Sequence, residues 1–414
     1  MPKNLSNSSQ NAPDRTPLTI LIGADTFPPD VNGAANFGSR LAAGLTERGH
    51  DVHVEAPSVN GKYGPFKEKH DGSTFTVHRV YSWRWYPHDW LRFVLPWRSQ
   101  AHAAHILDLV KPDVVHIQSH IVVGRGLARQ AAKRGIPIIA TNHFMPENMI
   151  DHTRLPHVLR RKAIRMAWKD ASTTFAYCQA VTAPSRKAAD YLEHEADLAQ
   201  VHAISCGIDA SLYTPDFEAR KDNRIVFVGR VSGEKHIDVL LKAVATIDPA
   251  LDVRLDIVGG GDQMNQLKSL ASDLGIADRV TFMGYVSDEE LRAALTRATV
   301  FAMPSIAELQ SIATMEAMAS ALPVVAADAM ALPHLVHQGE NGFLFTPGDS
   351  ADLAAKLTQV LSQSDADLLK MKKTSLKYIA AHDIQRTLST FESLYRGEPV
   401  TDPVTDASLD EPVT

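Results

Sequence analysis

The chain of 414 residues is 44% hydrophobic and 22% charged, which is typical of a globular protein with large buried cores, and its length predicts two domains. Two cysteines in this length exclude a disulfide-stapled scaffold and fit a reducing cytoplasm. The net charge of −6 divides unevenly: the first 205 residues hold 24 Lys and Arg against 18 Asp and Glu, whereas the rest hold 18 against 30. The basic half is expected to face an anionic partner, although ordinary variation between surfaces would give the same difference.

The N-terminal half is predicted to alternate strands with helices. Residues 1–16 are polar and predicted to be disordered, no signal peptide is visible, and the apolar run Leu18–Ala24 is too short to cross a bilayer. That run predicts a first buried strand, followed by a helix over Ala35–Arg48. Further strands are predicted over Asp51–Ala56, Val114–Gln118 and Ile136–Thr141. Apolar strands separated by helices are typical of a parallel sheet built from βαβ units.

The same alternation restarts after residue 205. Strands are predicted over Arg224–Val228, Asp252–Val258, Val280–Met283, Val300–Met303 and Pro323–Ala326. The sequence therefore predicts an α/β fold of two Rossmann-like domains, residues 17–205 and 206–378, facing across a cleft. A helix over 379–396 and a disordered acidic tail over 397–414 are expected to follow. Ligands of such sheets bind beyond the carboxyl ends of the strands, so functional residues are expected there.

Two of these strand ends carry charged groups suited to a sugar nucleotide. The strand ending at Val228 leads into Gly229 and Arg230, with Lys235 five positions further on. Fixed cations of this kind stabilise the charge that develops on a departing diphosphate, although a surface loop would show the same spacing.

The second charged segment follows the strand ending at Met303. Glu308 lies in a loop and Glu316 in a helix predicted to begin near Ser311, where free N–H groups suit phosphate oxygens. A carboxylate accepts hydrogen bonds from two neighbouring hydroxyls, so Glu316 suits a ribose and Glu308 a hexose. An acidic first helical turn is a common alternative explanation of these residues.

Together these segments resemble glycosyltransferase family 4, the retaining enzymes of the GT-B fold. The similarity covers about residues 18–395, with its motifs in the expected order. The shared motifs are Pro184-Ser185, Gly207-Ile208-Asp209, G-R-x4-K at Gly229, E-x7-E at Glu308, Pro323-Val324-Val325, Gly339 to Leu344 and Pro347-Gly348-Asp349.

This resemblance implies a role for each matching residue. Arg230 and Lys235 would bind the donor diphosphate, Glu308 the transferred sugar and Glu316 the ribose. The N–H groups at Ser311 and Ile312 would complete the donor site beside Gly229. The family works without a metal, so no metal site is expected, and the C-terminal helix is expected to cross back to the N-terminal domain.

The loop before the first helix adds Gly33 and Ala34 to the predicted donor site, since glycine lets backbone N–H groups approach a phosphate closely. The chain departs from the family pattern at four positions. They are Asn32 and Ser311, where Gly is common, Cys206, where Asn is common, and His334, where Glu is common.

Histidines follow two predicted strands of the N-terminal half. His120 is the preferred catalytic contact with the transferred sugar, ahead of Gln118 and His116. Asn142 and His143 are the candidate acceptor contacts. With 18 histidines in the chain, a match by chance is easy.

A further surface of the N-terminal half combines tryptophan with basic residues, a pairing found at membrane–water interfaces. The predicted membrane contacts are Trp83, Trp85, Trp90, Trp97, Arg160, Arg161, Lys162 and Arg165. A buried aromatic core and a solvated basic helix face are the alternative explanation. Nothing else in the sequence resembles a nucleic-acid-binding module.

The basic, aromatic acceptor half resembles actinobacterial GDP-mannose-dependent α-mannosyltransferases that act on glycolipids, and the run from Thr141 to Asn148 favours that subgroup. The expected function is transfer of mannose from GDP-mannose to a lipid-linked acceptor by a cytoplasmic enzyme peripherally bound to the inner face of the cell membrane. Another nucleotide sugar, a soluble acceptor, and a nucleotide-sugar epimerase or hydrolase remain alternatives. An NAD-dependent oxidoreductase, prompted by the glycines 259–261, and a non-catalytic sugar-binding protein are the other two.

Overall fold

A computed structural model describes residues 16–30, 32–84, 92–147 and 156–401. The N-terminal domain is built on one sheet with strand order β10-β9-β8-β7-β1-β2-β4-β3, in which β3 alone is antiparallel to its neighbour. Its strands are β1 (Thr19–Gly23), β2 (Asp51–Pro57), β3 (Gly64–His70), β4 (Ser73–Val80), β7 (Val114–Ile117), β8 (Ile138–Thr141), β9 (Ala180–Ala183) and β10 (His202–Ala203). A separate two-stranded ribbon pairs β5 (Trp83–Arg84) with β6 (Arg92–Phe93).

Helices cover this sheet, as the alternating pattern predicts. They are α1 (Gly33–Glu47), α2 (Pro96–Val110), α3 (Val123–Lys133), α4 (His157–Phe175) and α5 (Arg186–Ala196). The central strand β1 is fully buried from Ile20 to Ile22, because a parallel strand covered on both faces must be apolar throughout.

Four strands of this sheet, β3, β4, β9 and β10, were not predicted from the sequence. Strand β3 is an edge strand whose residues Lys67, Glu68 and Lys69 are exposed or half-buried, so it has no continuous apolar run. Charged residues on an edge strand also discourage pairing with other chains.

The C-terminal domain has a six-stranded, fully parallel sheet with strand order β13-β12-β11-β14-β15-β16. Its strands are β11 (Asn223–Val228), β12 (Val253–Val258), β13 (Val280–Gly284), β14 (Val300–Met303), β15 (Val324–Ala327) and β16 (Gly342–Phe345). Its helices are α6 (Ile237–Thr246), α7 (Met264–Asp273), α8 (Asp288–Arg297), α9 (Ile312–Ala319), α10 (Ser350–Leu361) and α11 (Asp365–Ile379). The second parallel sheet confirms the predicted pair of Rossmann-like domains.

The last helix, α12 (Ile384–Tyr395), returns to the N-terminal domain and packs on α1. The rings of Phe37 and Phe391 lie 6.0 Å apart, and Arg48 pairs with Glu392 at 2.7 Å. A Cβ added to Gly44 would lie 2.6 Å from Leu388, so a glycine at this position allows the close approach of the two helices.

Several sequence predictions lie outside the described residues. These include Trp85 and Trp90, most of the predicted disordered N-terminus, and residues 402–414 of the predicted tail. Within the described ranges, no helix combines the length and apolar content needed to cross a bilayer.

Candidate active site

The cation-bearing loop Gly229–Lys235 begins at the carboxyl end of β11, as predicted. Its backbone is fixed against the end of β12, because the Gly229 N–H donates to Val258 O at 3.0 Å and the Val231 N–H donates to Gly260 O at 2.9 Å. A Cβ on Gly259 would lie 1.9 Å from Gly229 O, a distance that no side chain tolerates. These contacts give the glycines 259–261 a packing role beneath the cation loop, which explains the glycine run without a dinucleotide.

Lys235 and Glu308 are brought together at the centre of the predicted donor site. The Lys235 ammonium is ion-paired with the Glu308 carboxylate, and the two side chains are only 16% and 11% exposed. The loops that carry them are joined through the backbone carbonyl of Glu234, which accepts hydrogen bonds from the Ile306 N–H at 3.2 Å and the Ser305 hydroxyl at 3.3 Å. The cation predicted for the diphosphate therefore lies against the carboxylate predicted for the sugar.

Arg230 is held by a carboxylate that the sequence analysis did not identify. Its Nη2 lies 2.8 Å from Oε1 of Glu234, which also accepts the Ser232 hydroxyl at 2.7 Å. Burial opposes ionisation of Glu234, but the Ser232 hydrogen bond and the Arg230 charge outweigh it, so the pKa of Glu234 is lowered. The spacing of four residues between Arg230 and Glu234 was the signal available in the sequence.

The two cations and two carboxylates together make a charge-balanced set. A donor diphosphate would bring negative charge to Arg230 and Lys235, which lie beyond the carboxyl end of β11. Each of these two cations is already paired with a carboxylate. To stabilise that charge, the two cations would exchange their carboxylate partners for phosphate oxygens.

Helix α9 begins at Ile312, with Ser311 as its N-cap, next to the start predicted from the sequence. Ser311 has φ of 71°, in the left-handed region, and its hydroxyl lies 2.8 Å from the Thr314 hydroxyl. Glycine is favoured in this conformation because a Cβ costs about 1 kcal/mol there. Ser311 therefore keeps the backbone turn with some strain.

The N-terminal domain meets this helix start through Gly33. A Cβ built on Gly33 would lie 3.9 Å from the Ile312 side chain, which places the predicted phosphate loop and the start of α9 on facing walls. Asn32 caps α1, because its side-chain oxygen accepts the Ala35 N–H at 2.9 Å. This cap gives the family departure at Asn32 a structural reason, and Ala34 follows in the first turn.

Glu316 lies in the second turn of α9 and is 6% exposed. Its Oε1 lies 2.9 Å from Nη2 of Arg40, a residue of α1 in the other domain. Tyr213 lies beside the same carboxylate: burial, and after it the Glu316 charge, raises the pKa of Tyr213 above its usual range. Arg40 and Tyr213 were not identified from the sequence.

The segment between Glu308 and Ser311 is also hydrogen-bonded to the linker between the domains, at Ser205 and Cys206. The buried amide of Gln310 accepts the Cys206 N–H at 2.8 Å and donates to the Ser205 hydroxyl at 2.8 Å. From the N-terminal domain, the Ser185 hydroxyl donates to Leu309 O at 2.7 Å. The donor loop is thus hydrogen-bonded both to the linker and to the opposite domain.

His120 lies in an aromatic cluster of the N-terminal domain. It is 3% exposed, and its ring lies 5.4 Å from Phe175, 5.8 Å from Phe144 and 6.3 Å from Trp168. Burial lowers the pKa of His120 to about 4, so the ring is neutral near pH 7. Contact of His120 with a transferred sugar stays a prediction.

The predicted acceptor contacts Asn142 and His143 lie beside this cluster. The Asn142 amide donates to Phe144 O at 3.0 Å, and His143 Nε2 donates to the Gln118 side-chain oxygen at 3.0 Å. Burial lowers the pKa of His143 to about 4. A hydrogen bond from His143 to Gln118 therefore links the loop after β8 to the end of β7.

Behind Gln118, a buried polar chain joins the strand ends to the C-terminal helix. His116 contacts the Tyr395 hydroxyl through Nδ1 and the Thr141 hydroxyl through Nε2, both at 2.7 Å. Burial lowers the pKa of His116 to about 3. These contacts assign His116 to the junction with α12.

The described part of the predicted membrane surface is exposed. Trp97 is 65% and Trp83 40% exposed, and the Arg98 guanidinium lies over the Trp83 ring at 5.5 Å. On α4, Leu159 and Met166 are exposed beside exposed basic residues. Those basic residues are Arg161, Lys162 and Arg165, with Arg160 half-buried. Trp168, by contrast, is a core residue.

Among the described residues, no group of three or more His, Cys, Asp and Glu side chains is placed to hold a metal ion. Independence from metal stays a prediction.

Two family profiles match the chain, one for each half. "Glycosyltransferase Family 4" matches residues 31–212, and "Glycosyl transferases group 1" matches residues 215–377. The resemblance to family 4 derived from the motifs is confirmed.

Curated relatives have similar sequences. An MMP alpha-(1->4)-mannosyltransferase of Mycolicibacterium hassiacum is 34% identical over 60% of this chain and 62% of its own length. A GDP-mannose-dependent alpha-mannosyltransferase of Mycolicibacterium smegmatis is 29% identical over 84% of this chain and 89% of its own. A sulfoquinovosyl transferase of Arabidopsis thaliana is 28% identical over 61% of this chain and 50% of its own.

Solved structures have the same fold. A sucrose-phosphate synthase from Thermosynechococcus elongatus superposes with a TM-score of 0.77 at 18% identity, over 92% of this chain and 98% of its own. Anabaena HepE in complex with UDP gives a TM-score of 0.70 at 17% identity, over 92% and 100%. The GT-B fold expected from the motifs is confirmed.

Proposed function

Since this chain is a glycosyltransferase of the GT-B fold that resembles family 4, we propose that it is a retaining α-mannosyltransferase. Its donor is GDP-mannose, and its acceptor is a membrane glycolipid of cell-envelope lipid or lipoglycan synthesis. The observation that carries the proposal is the ion pair of Lys235 with Glu308 in the donor wall, the surface formed by residues 229–235 and 308–316. The mannosyltransferase names of two relatives support the choice of sugar.

In the proposed reaction, the cations and carboxylates of the donor wall exchange partners. Arg230 and Lys235 bind the diphosphate and stabilise the charge it gains as its bond to the sugar breaks. Glu308, released from Lys235, accepts hydrogen bonds from sugar hydroxyls, and Glu316 accepts them from the ribose.

The acceptor hydroxyl forms the new bond to the anomeric carbon on the same face of the sugar from which the diphosphate leaves. Its proton passes to a phosphate oxygen of the departing GDP. The buried, neutral His120, Asn142 and His143 position the acceptor side without supplying charge. The reaction needs no resident metal in this proposal, because Arg230 and Lys235 neutralise the diphosphate.

A panel of nucleotide sugars tests the donor. The protein is mixed with GDP-mannose, UDP-glucose and ADP-glucose, with and without an excess of EDTA, and its melting temperature is measured. We expect the largest rise with GDP-mannose, and no loss of that rise in EDTA. A larger rise with a UDP or ADP sugar would replace the mannosyl assignment by another glycosyl donor.

The same panel applied to a Lys235→Met variant tests the site. Lys242→Met is the matched control, because Lys242 forms a Lys–Asp pair with Asp238 at 2.8 Å on the neighbouring helix α6. The donor-induced rise should be lost in Lys235→Met and kept in Lys242→Met. An unchanged rise in Lys235→Met would remove the residue from the donor site.

We further propose that the enzyme is cytoplasmic and binds the inner face of the cell membrane peripherally. Exposed Trp83 and Trp97 are suited to the interface, and basic side chains of α4 are suited to anionic lipid, each adding about 1 kcal/mol near the leaflet. The exposed Leu159 and Met166 on the same helix add apolar contact.

Sedimentation with liposomes tests the membrane proposal. Pelleting should increase with the fraction of phosphatidylserine or phosphatidylinositol and fall in a Trp83→Ala/Trp97→Ala variant. Phe217→Ala is the control, since Phe217 is 48% exposed on the C-terminal domain. Pelleting that ignores both lipid charge and the two tryptophans would refute the interface.

A further inference from the structure

Arg40 of α1 and Arg48, the residue that caps the end of α1, pair with carboxylates of different helices. Arg48 pairs with Glu392 of α12 at 2.7 Å, and Arg40 pairs with Glu316 of α9 at 2.9 Å. The four side chains are similarly enclosed, with the arginines 23% and 24% exposed and the glutamates 12% and 8%. Of these two ion pairs, the Arg40 pair is the one that reaches the predicted donor wall.

The Glu316 carboxylate is held from two directions outside its own helix. Arg40 approaches from the opposite domain, and Tyr213 approaches from the segment that follows the linker. A carboxylate has about four acceptor positions, so these contacts leave capacity for two neighbouring hydroxyls. A side chain fixed in this way presents its remaining acceptor positions in one orientation.

Arg40 also carries hydrogen-bonding capacity that the described residues do not use. Its Nη1 is buried, and no hydrogen-bond partner for it lies within the described part of the chain. A buried guanidinium nitrogen without a partner is costly, and it lies next to a carboxylate expected to receive a ligand. A ribose hydroxyl of that ligand would supply the missing partner.

We propose that Arg40 is a positioning residue for nucleotide recognition. From the acceptor-side domain, it orients the Glu316 carboxylate toward the ribose hydroxyls of a nucleoside diphosphate sugar. The ribose is therefore recognised best when the two domains hold the arrangement seen here. This inference rests on the ribose role of Glu316 in the proposed function.

A blocking role for Arg40 would have the opposite consequence. If Arg40 simply occupied the ribose position, its removal would free Glu316 and strengthen nucleotide binding. Without Arg40, however, a nearly buried carboxylate loses the ion pair that orients it. Removal of Arg40 should therefore weaken ribose binding.

The test compares ribo- and 2′-deoxyribonucleotides, because a merely structural role would not distinguish them. The Kd values of GDP, 2′-deoxy-GDP, UDP and 2′-deoxy-UDP are measured by calorimetry for the wild type, Arg40→Met, Glu316→Gln and Arg48→Met. Loss of a charge-assisted hydrogen bond corresponds to about a tenfold change in Kd. We expect Arg40→Met to weaken the ribonucleotide by about tenfold and to leave the deoxynucleotide nearly unchanged.

The control variants separate the possible failures. Arg48→Met, which breaks a comparable ion pair at the end of α1, should bind all four nucleotides as the wild type does. If Glu316→Gln keeps the preference for ribose, both the ribose assignment and this inference fail. If Glu316→Gln loses the preference but Arg40→Met keeps it, the inference alone is overturned, as it is if Arg40→Met weakens both forms equally or strengthens binding.

Discussion

The two walls of the cleft differ in how they use charge. The donor wall, formed by residues 229–235 and 308–316, places ionised side chains in pairs such as Lys235 with Glu308. The acceptor wall, formed by residues 116–120 and 141–143, buries neutral histidines whose pKa values burial lowers to about 3 or 4. The charged side chains therefore lie where a diphosphate would leave. On the acceptor side, uncharged side chains can contact a ligand and form hydrogen bonds with it.

The largest expected effect follows from breaking the donor wall. Substituting Lys235 by Met should lower kcat by about 10²- to 10³-fold, the usual result of removing one group that stabilises developing negative charge. Steady-state assays at saturating donor measure this loss, with circular dichroism to verify folding. A similar loss in Lys242→Met, whose side chain pairs with Asp238 on α6, would show that the effect is not specific to the site.

The second prediction concerns the tie between the donor wall and the linker. Gln310→Leu should reduce the free energy of unfolding by about 1–3 kcal/mol, because the Cys206 N–H and the Ser205 hydroxyl lose a buried partner. Urea denaturation measures the change. A Gln310→Leu variant as stable as the wild type would contradict the assigned hydrogen bonds.

The acceptor wall should make stability depend on pH. The folded-state pKa values of His120 and His143 are about 4, below the usual 6.5, so the unfolded chain binds more protons between these values. Stability should therefore be highest above pH 6.5 and fall as the pH decreases toward 4. Urea titrations from neutral pH down toward this lower value measure the slope, which should be shallower in a His143→Gln variant; an unchanged slope would argue against a neutral, buried His143.

The smallest expected effect concerns the backbone conformation of Ser311, the residue before α9. Ser311→Gly should raise the free energy of unfolding by up to about 1 kcal/mol, because glycine adopts the left-handed φ of 71° without a Cβ penalty. Loss of the Ser311–Thr314 hydroxyl contact reduces this gain. Thermal unfolding measures it, and a marked destabilisation would show that the hydroxyl contact outweighs the backbone strain.

Part of the fold and of the donor wall could be predicted from the sequence. The apolar parallel strands, and the charged residues that follow Val228 and Met303, are local patterns of residue type and spacing. The edge strand β3 was missed, since its exposed charged residues have no apolar run.

Contacts between residues far apart in the sequence could not be predicted from local sequence patterns. Arg40 and Glu316 are 276 positions apart, and neither sequence segment contains a signal for the pair. Burial of His120 among aromatic rings likewise depends on residues from Phe144 to Phe175 that converge only in the fold. Glu234 was available from its spacing to Arg230 and was overlooked.

Product analysis tests the central claim most directly. The protein is incubated with GDP-mannose and a glycolipid fraction of bacterial membranes, and the lipids are analysed by mass spectrometry and by NMR of the anomeric proton. The account predicts a glycolipid heavier by one hexose residue, an α-linkage that retains the donor configuration, and GDP released in equal amount. Transfer from a UDP or ADP sugar in preference to GDP-mannose, or release of free mannose without a glycolipid product, would contradict it.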